Sequence, residues 1–132
     1  YVGYDLKRGE GRIFKYDITG GRYEESDYHA IGSGGKDARN TMREHFRKTL
    51  SEEDALRIAL LALYNAADED VSTGGPDLVR GIYPSAKLVS ASGIEHPERE
   101  PMIRTSRIEV DDKTANAADD LARLVHASPQ EP

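Results

Sequence analysis

Apolar residues gather in three short runs at the start of the chain: residues 1–5, 12–17 and 22–31 are rich in Tyr, Ile, Val and Phe. Gly9-Glu10-Gly11 and Thr19-Gly20-Gly21 separate them. Runs of such β-forming residues separated by glycine-bearing segments predict an antiparallel meander. Gly32-Ser33-Gly34-Gly35 then closes the third run, and beyond it Ala38, Met42, His45 and Phe46 recur at helical spacing. A helix is therefore expected after the glycines, with these four residues on its apolar face.

The second helix is signalled more strongly. Ser51-Glu52-Glu53-Asp54 resembles a capping box, and its acidic first turn complements the helix dipole. The helix should run to about Asp68, with Leu56, Ala59, Leu60, Leu63, Ala66 and Ala67 as its stripe. Ile58, Leu61 and Tyr64 widen that stripe almost all the way round, which predicts packing on more than one side. Thr73-Gly74-Gly75-Pro76 breaks the pattern, and a loop through Tyr83-Pro84 leads to an expected strand over 86–91. Past Gly93 the periodicity weakens. Residues 94–101 are charged and proline-bearing, 103–110 suit an edge strand, 114–126 a short amphipathic helix, and 128–132 a disordered tail. The order β-β-β-α-α-β, then β-α, predicts an α+β fold with antiparallel sheet in one domain over 1–132. Residues 1–92 should form the core strands and two helices, and 93–132 a C-terminal strand, helix and tail.

The chain has 132 residues and a formal net charge of -6, with 18 Lys and Arg scattered along it. That balance speaks against nucleic acid as a partner, and charge interrupts every helical stretch too often for a membrane span. There is no cysteine, so disulfides, thiol nucleophiles and thiolate metal sites are excluded, in keeping with a cytoplasmic setting. The opening Tyr1-Val2-Gly3-Tyr4 enters as if in the middle of a sheet, with no initiating Met, which suggests a truncated or processed chain.

Several motifs invite chemistry. Gly32-Ser33-Gly34-Gly35-Lys36 resembles a phosphate loop, but a Walker loop needs Gly at Ala30 and Ser or Thr at Asp37, and a dinucleotide fingerprint needs Gly at Asp37. A strand-to-helix turn is the better reading. The four histidines, His29, His45, His96 and His126, fall in separate elements without metal-ligand spacing and read as surface or packing residues, His45 as a core or interface histidine. No metal and no cofactor is expected. The segment from Asp68 to Leu78 is the most informative. Its hydroxyl and carboxylate side chains could simply terminate a helix by bonding nearby backbone. That ordinary reading is the favoured one from physics alone, but three carboxylates at 68–70 lie on the unfavourable end of the helix dipole, which invites another explanation, such as a partner supplied by the fold.

Taken together, Val2-Gly3-Tyr4-Asp5, Gly20-Gly21-Arg22-Tyr23-Glu24-Glu25, Tyr28-His29-Ala30-Ile31-Gly32-Ser33-Gly34, Ala62-Leu63-Tyr64-Asn65-Ala66-Ala67-Asp68 and the run from Thr73 through Pro84 resemble the β subunits of actinobacterial-type proteasomes. The last block and the Gly-Ser-Gly turn favour β over the related α subunits. The resemblance implies an N-terminal nucleophile hydrolase fold, an αββα four-layer sandwich of two antiparallel sheets, of which this chain would supply about half. It implies a threonine-type endopeptidase that degrades unfolded proteins inside a closed chamber. The nucleophilic N-terminal Thr, a Lys and a first-half Asp would all lie outside this chain, so the fragment alone should be inactive. What carries over is a supporting shell of Ser33, Asp70 and Thr73 around the threonine's amine and hydroxyl. Thr73 stands where archaeal relatives have Ser, which keeps the hydroxyl and adds a methyl. Lys36-Asp37 stands where less polar residues are usual, and the match after Gly93 is loose. Implied partners are identical β subunits in a seven-membered ring, a ring of α subunits, an ATPase unfoldase ring and unfolded protein substrates. The alternatives are a non-catalytic interaction or assembly domain with the same fold, or a different amidase built on it.

Overall fold

A computed structural model describes residues 1–77 and 79–97. Its elements follow the order β1 (Val2–Asp5), β2 (Glu10–Tyr16), β3 (Arg22–Glu25), α1 (Gly35–His45), α2 (Glu52–Glu69), β4 (Leu88–Ser90) and β5 (Gly93–Glu95). The strand expected over 103–110, the helix over 114–126 and the tail over 128–132 lie outside the described residues, as does most of the C-terminal part expected over 93–132.

The first three strands form an antiparallel sheet in the order β1-β2-β3, with Val2 opposite Ile13 and Ile13 opposite Glu25. Asp5 sets the first turn by accepting the Lys7 and Arg8 amides at 3.0 and 3.2 Å, while Gly9 takes a positive φ of 70°. Asp17 does the same for the second hairpin through the Thr19 and Gly21 amides. Alternation then sorts the two faces. Asp5, Arg12, Phe14, Arg22 and Glu24 share one: Arg12 pairs with both Glu24 oxygens at 2.7 Å and with Asp5 at 3.3 Å, its guanidinium lying over the Phe14 ring. Val2, Tyr4, Ile13 and Tyr23 share the other, where Val2 and Tyr23 remain more than half exposed.

Strand β3 ends at Glu25, short of the expected Ile31. Ser26 bonds the Asp27 carboxylate instead of extending the ladder, and the chain turns towards α1. Glu25 also lies 3.4 Å from His29 Nδ1, a carboxylate neighbour that the spacing of the histidines had not suggested.

The two helices pack through small residues. Ala38 of α1 meets Ala62 and Ala66 of α2, with Ala30 and Met42 at the margin. Alanines let the backbones approach closely, and Asn65 Nδ2 donates to the buried Thr41 Oγ1 across the seam at 3.0 Å. Phe46, placed by its spacing on the α1 face, is the extended residue that ends the helix, and its ring meets Tyr28 at 5.3 Å. His45 is exposed, which excludes the core position, one of the two expected for it. Ser51 caps α2 by accepting the Asp54 amide at 3.1 Å, an interaction commonly worth about 1 kcal/mol.

The buried residues of α2 are Leu60, Ala62, Tyr64 and Ala66, and Ala59 and Leu63 of the expected stripe are exposed. The difference follows from what covers the helix. α1 lies along the alanine side, whereas Leu63 lines a shallow pocket with Pro76, Ile82 and Tyr83. Strand β4 is shorter than the expected 86–91 and pairs antiparallel with β5, a strand missing from the sequence expectation. Gly93, at φ 127°, follows a two-residue loop and starts the return strand. β4 lies beside β1. Mixed helices and antiparallel sheets are thus present as expected; the four-layer arrangement is taken up under Proposed function.

Candidate functional site

The end of α2 and the start of α1 meet. Helix α2 stops at Asp70, whose backbone is extended (φ -119°, ψ 109°) and whose amide still bonds the Ala66 carbonyl at 2.9 Å. The Asp70 carbonyl then accepts the Thr73 amide at 2.9 Å, curling residues 70–73 into a turn. That turn brings Thr73 Oγ1 to 2.6 Å from Asp70 Oδ2 and the Ser72 amide to 3.3 Å from Oδ1. From the other side, Ser33 Oγ donates a short bond to the same Oδ2.

Ser33, Asp70 and Thr73, singled out in the sequence, therefore form one cluster across 37 residues of chain. Its closeness depends on two glycines that open α1. Gly34 and Gly35 are buried, and a Cβ on Gly34 would sit 2.7 Å from Thr73 Oγ1 and 3.1 Å from the Ala66 Cβ. From sequence alone these glycines read as turn formers. Their fuller role, admitting one helix start against another helix end, has no signal in sequence beyond their adjacency to Ser33.

The cluster also accounts for one carboxylate, Asp70, at an unfavourable helix end. α2 has no basic residue in its last turn, so nothing there complements the dipole. For Asp70 the Ser33 hydroxyl, then the Thr73 hydroxyl and the Ser72 amide, hold the carboxyl below its ordinary range, against the opposing pull of desolvation. The carboxylate is the acceptor for both hydroxyls, whose oxygens keep lone pairs facing outward. Ser33 is exposed and Asp70 and Thr73 are half-buried, so the cluster is reachable. It offers negative charge and oxygen acceptors to a group that brings N–H donors, such as an ammonium. It contains no base that titrates near neutrality. Among the described residues no group of three or more His, Cys, Asp or Glu is arranged to hold a metal ion, and no helix is long and apolar enough to cross a membrane.

Comparison with known proteins gives this geometry a context. Residues 1–79 match the family model described as proteasome subunit. The proteasome subunit beta of Acidimicrobium ferrooxidans is 52% identical over 93 residues, covering 70% of this chain and 34% of that protein. That of Frankia casuarinae is 46% identical over 106 residues, 78% of this chain and 39% of the relative. For Rhodococcus opacus the figures are 46% over 118 residues, 86% and 40%. The chain thus spans between a third and two-fifths of the length of these relatives.

Proposed function

Since the chain belongs to the proteasome subunit family, we propose that it is a C-terminal portion of a β subunit whose parent is a threonine-type endopeptidase. The observation that carries this reading is the convergence of Ser33, Thr73 and Asp70 on one carboxylate oxygen. In this reading the parent's N-terminal threonine places its α-amine against that cluster. The amine, with an ordinary pKa near ~8, accepts the threonine hydroxyl's proton as the hydroxyl oxygen attacks the scissile carbonyl. It returns the proton to the leaving amine as the peptide C–N bond breaks, and water then hydrolyses the ester. Asp70 stays ionised throughout and works by position: it fixes the Ser33 and Thr73 hydroxyl hydrogens inward, so their oxygens face the amine as acceptors. The nucleophile, a lysine and a further aspartate come from residues outside this chain.

The same reading places the described elements in an αββα four-layer sandwich. The three-stranded antiparallel sheet and the helix pair are consistent with half of such a fold. It also implies a heptameric β ring stacked on α rings, an ATPase unfoldase, unfolded protein substrates and a cytoplasmic setting. Peptide hydrolysis is the test. The assembled full-length subunit should turn over an unstructured peptide, and purified residues 1–132 should not. Turnover by residues 1–132, blocked by a threonine-directed electrophile, would overturn the assignment of the nucleophile to another part of the parent.

A further inference from the structure

Ser33 reaches Asp70 at the end of a segment that has little else to hold it. Ile31 is 84% exposed, and Gly32 adopts a φ of 101° that other residues rarely take. Two backbone bonds close the turn: the Gly35 amide to the Gly32 carbonyl and the Ala38 amide to the Gly34 carbonyl, each at 3.1 Å. The segment's entry is held at Ala30. Its methyl lies at the margin of the α1–α2 core, and its carbonyl accepts the guanidinium of Arg39, Nη1 to O at 2.5 Å. Arg39 comes from α1 itself, so the helix reaches back to hold the strand-side end of the turn that leads into it. Gly35 makes room for that reach. A Cβ there would lie 3.1 Å from the Ala30 carbonyl oxygen and 3.2 Å from Arg39 Nη1.

We propose that Arg39 is a positioning residue: by holding the Ala30 carbonyl it fixes the 30–35 turn and thereby the placement of the Ser33 hydroxyl on Asp70. A bond from a cation to a carbonyl is stronger than a neutral one, and removing the guanidinium leaves a half-buried carbonyl without its donor. The turn would then keep its two backbone bonds but lose the charged anchor at its strand-side end. The catalytic consequence rests on the peptidase reading above; the structural one does not.

The experiment therefore has two independent readouts on the assembled full-length subunit carrying Arg39→Ala, Arg39→Met or Arg39→Lys. Met keeps most of the aliphatic stem without donors, and serves if Ala fails to assemble; Lys keeps a single cationic donor. Amide exchange over residues 31–38 should accelerate roughly tenfold in Arg39→Ala and Arg39→Met, and stay near wild type in Arg39→Lys. With a peptide substrate, kcat should fall on the order of ten- to a hundredfold with KM little changed, and Arg39→Lys should recover most of it. Unchanged exchange in the donorless variants, or Lys behaving like Met, overturns the proposal. Faster exchange with unchanged kcat shows that the turn is anchored but that its anchoring does not place Ser33 for catalysis, which also overturns it. A wild-type particle without turnover sinks the peptidase reading instead, and exchange still decides whether Arg39 holds the turn.

Discussion

Asp70→Asn in the assembled full-length subunit is expected to lower peptide turnover by roughly ten- to a thousandfold, because the groups that position the amine lose the carboxylate that orients them. The substitution keeps shape and removes charge. Both hydroxyl donors, Ser33 and Thr73, use Oδ2, and the Ser72 amide uses Oδ1. An asparagine can present its oxygen at only one of these positions. With oxygen towards the hydroxyls, its NH2 faces the Ser72 amide, donor against donor; flipped, it leaves Ser33 and Thr73 without their shared acceptor. Either way the hydroxyl oxygens lose the charge that fixes their direction. Because these donors depress the Asp70 pKa, its stabilising interactions are complete above the unfolded carboxylate value of about 3.9 and vanish only as pH falls through the lower folded value. Asp70 is thus ionised across pH 6 to 9, and its titration should not shape the pH–rate profile there. Particles must be shown by size to be assembled before rates are compared. An assembled Asp70→Asn particle with unchanged turnover from pH 6 to 9 would reduce Asp70 to a residue that ends a helix.

Gly34→Ala should damage both stability and turnover, through crowding. The new methyl would stand 2.7 Å from Thr73 Oγ1, 3.1 Å from the Ala66 Cβ and 3.4 Å from the Ala66 carbonyl oxygen. Thr73 can move only by giving up its 2.6 Å bond to Asp70, and Ala66 is a core contact of α2 with α1. Overpacking of this kind typically costs about 1–3 kcal/mol, so the melting temperature should drop by several degrees and turnover should fall with it. Gly74→Ala is the matching control, since a Cβ there meets nothing within 4 Å. Wild-type melting and turnover in Gly34→Ala would mean that the helix contact is looser than its distances indicate.

Much of the scaffold is readable from local chemistry. The meander follows from runs of β-forming residues separated by glycine-bearing turns, and the start of α2 follows from Ser51 and its acidic first turn. Errors arise where tertiary cover decides. Leu63 has the spacing of a core residue, yet its side of α2 faces a pocket. His45 has the spacing of an apolar face, but the helix seam is built from Ala38, Thr41 and Met42. Strand β5 escapes because Gly-Ile-Glu carries no alternation long enough to register. Within the site, Asp70 is conspicuous as an acid at the wrong end of a dipole, and Ser33 and Thr73 are marked by the family resemblance. Gly34 is marked only as part of the Gly-Ser-Gly turn, and Arg39 is not marked at all. One acts by having no side chain, the other by bonding a backbone carbonyl nine residues away, and neither relation leaves a pattern in sequence.

The central claim is that the cluster serves a threonine nucleophile supplied from elsewhere in the parent subunit. It is tested most directly by reacting the assembled parent with a peptide electrophile that needs both a hydroxyl and a free α-amine, then locating the adduct by mass spectrometry. The expected result is a single adduct on an N-terminal threonine, formed at wild-type rate in Gly74→Ala and slowed in Asp70→Asn. An adduct on any other residue, or none in a particle that still cleaves peptides, would contradict it.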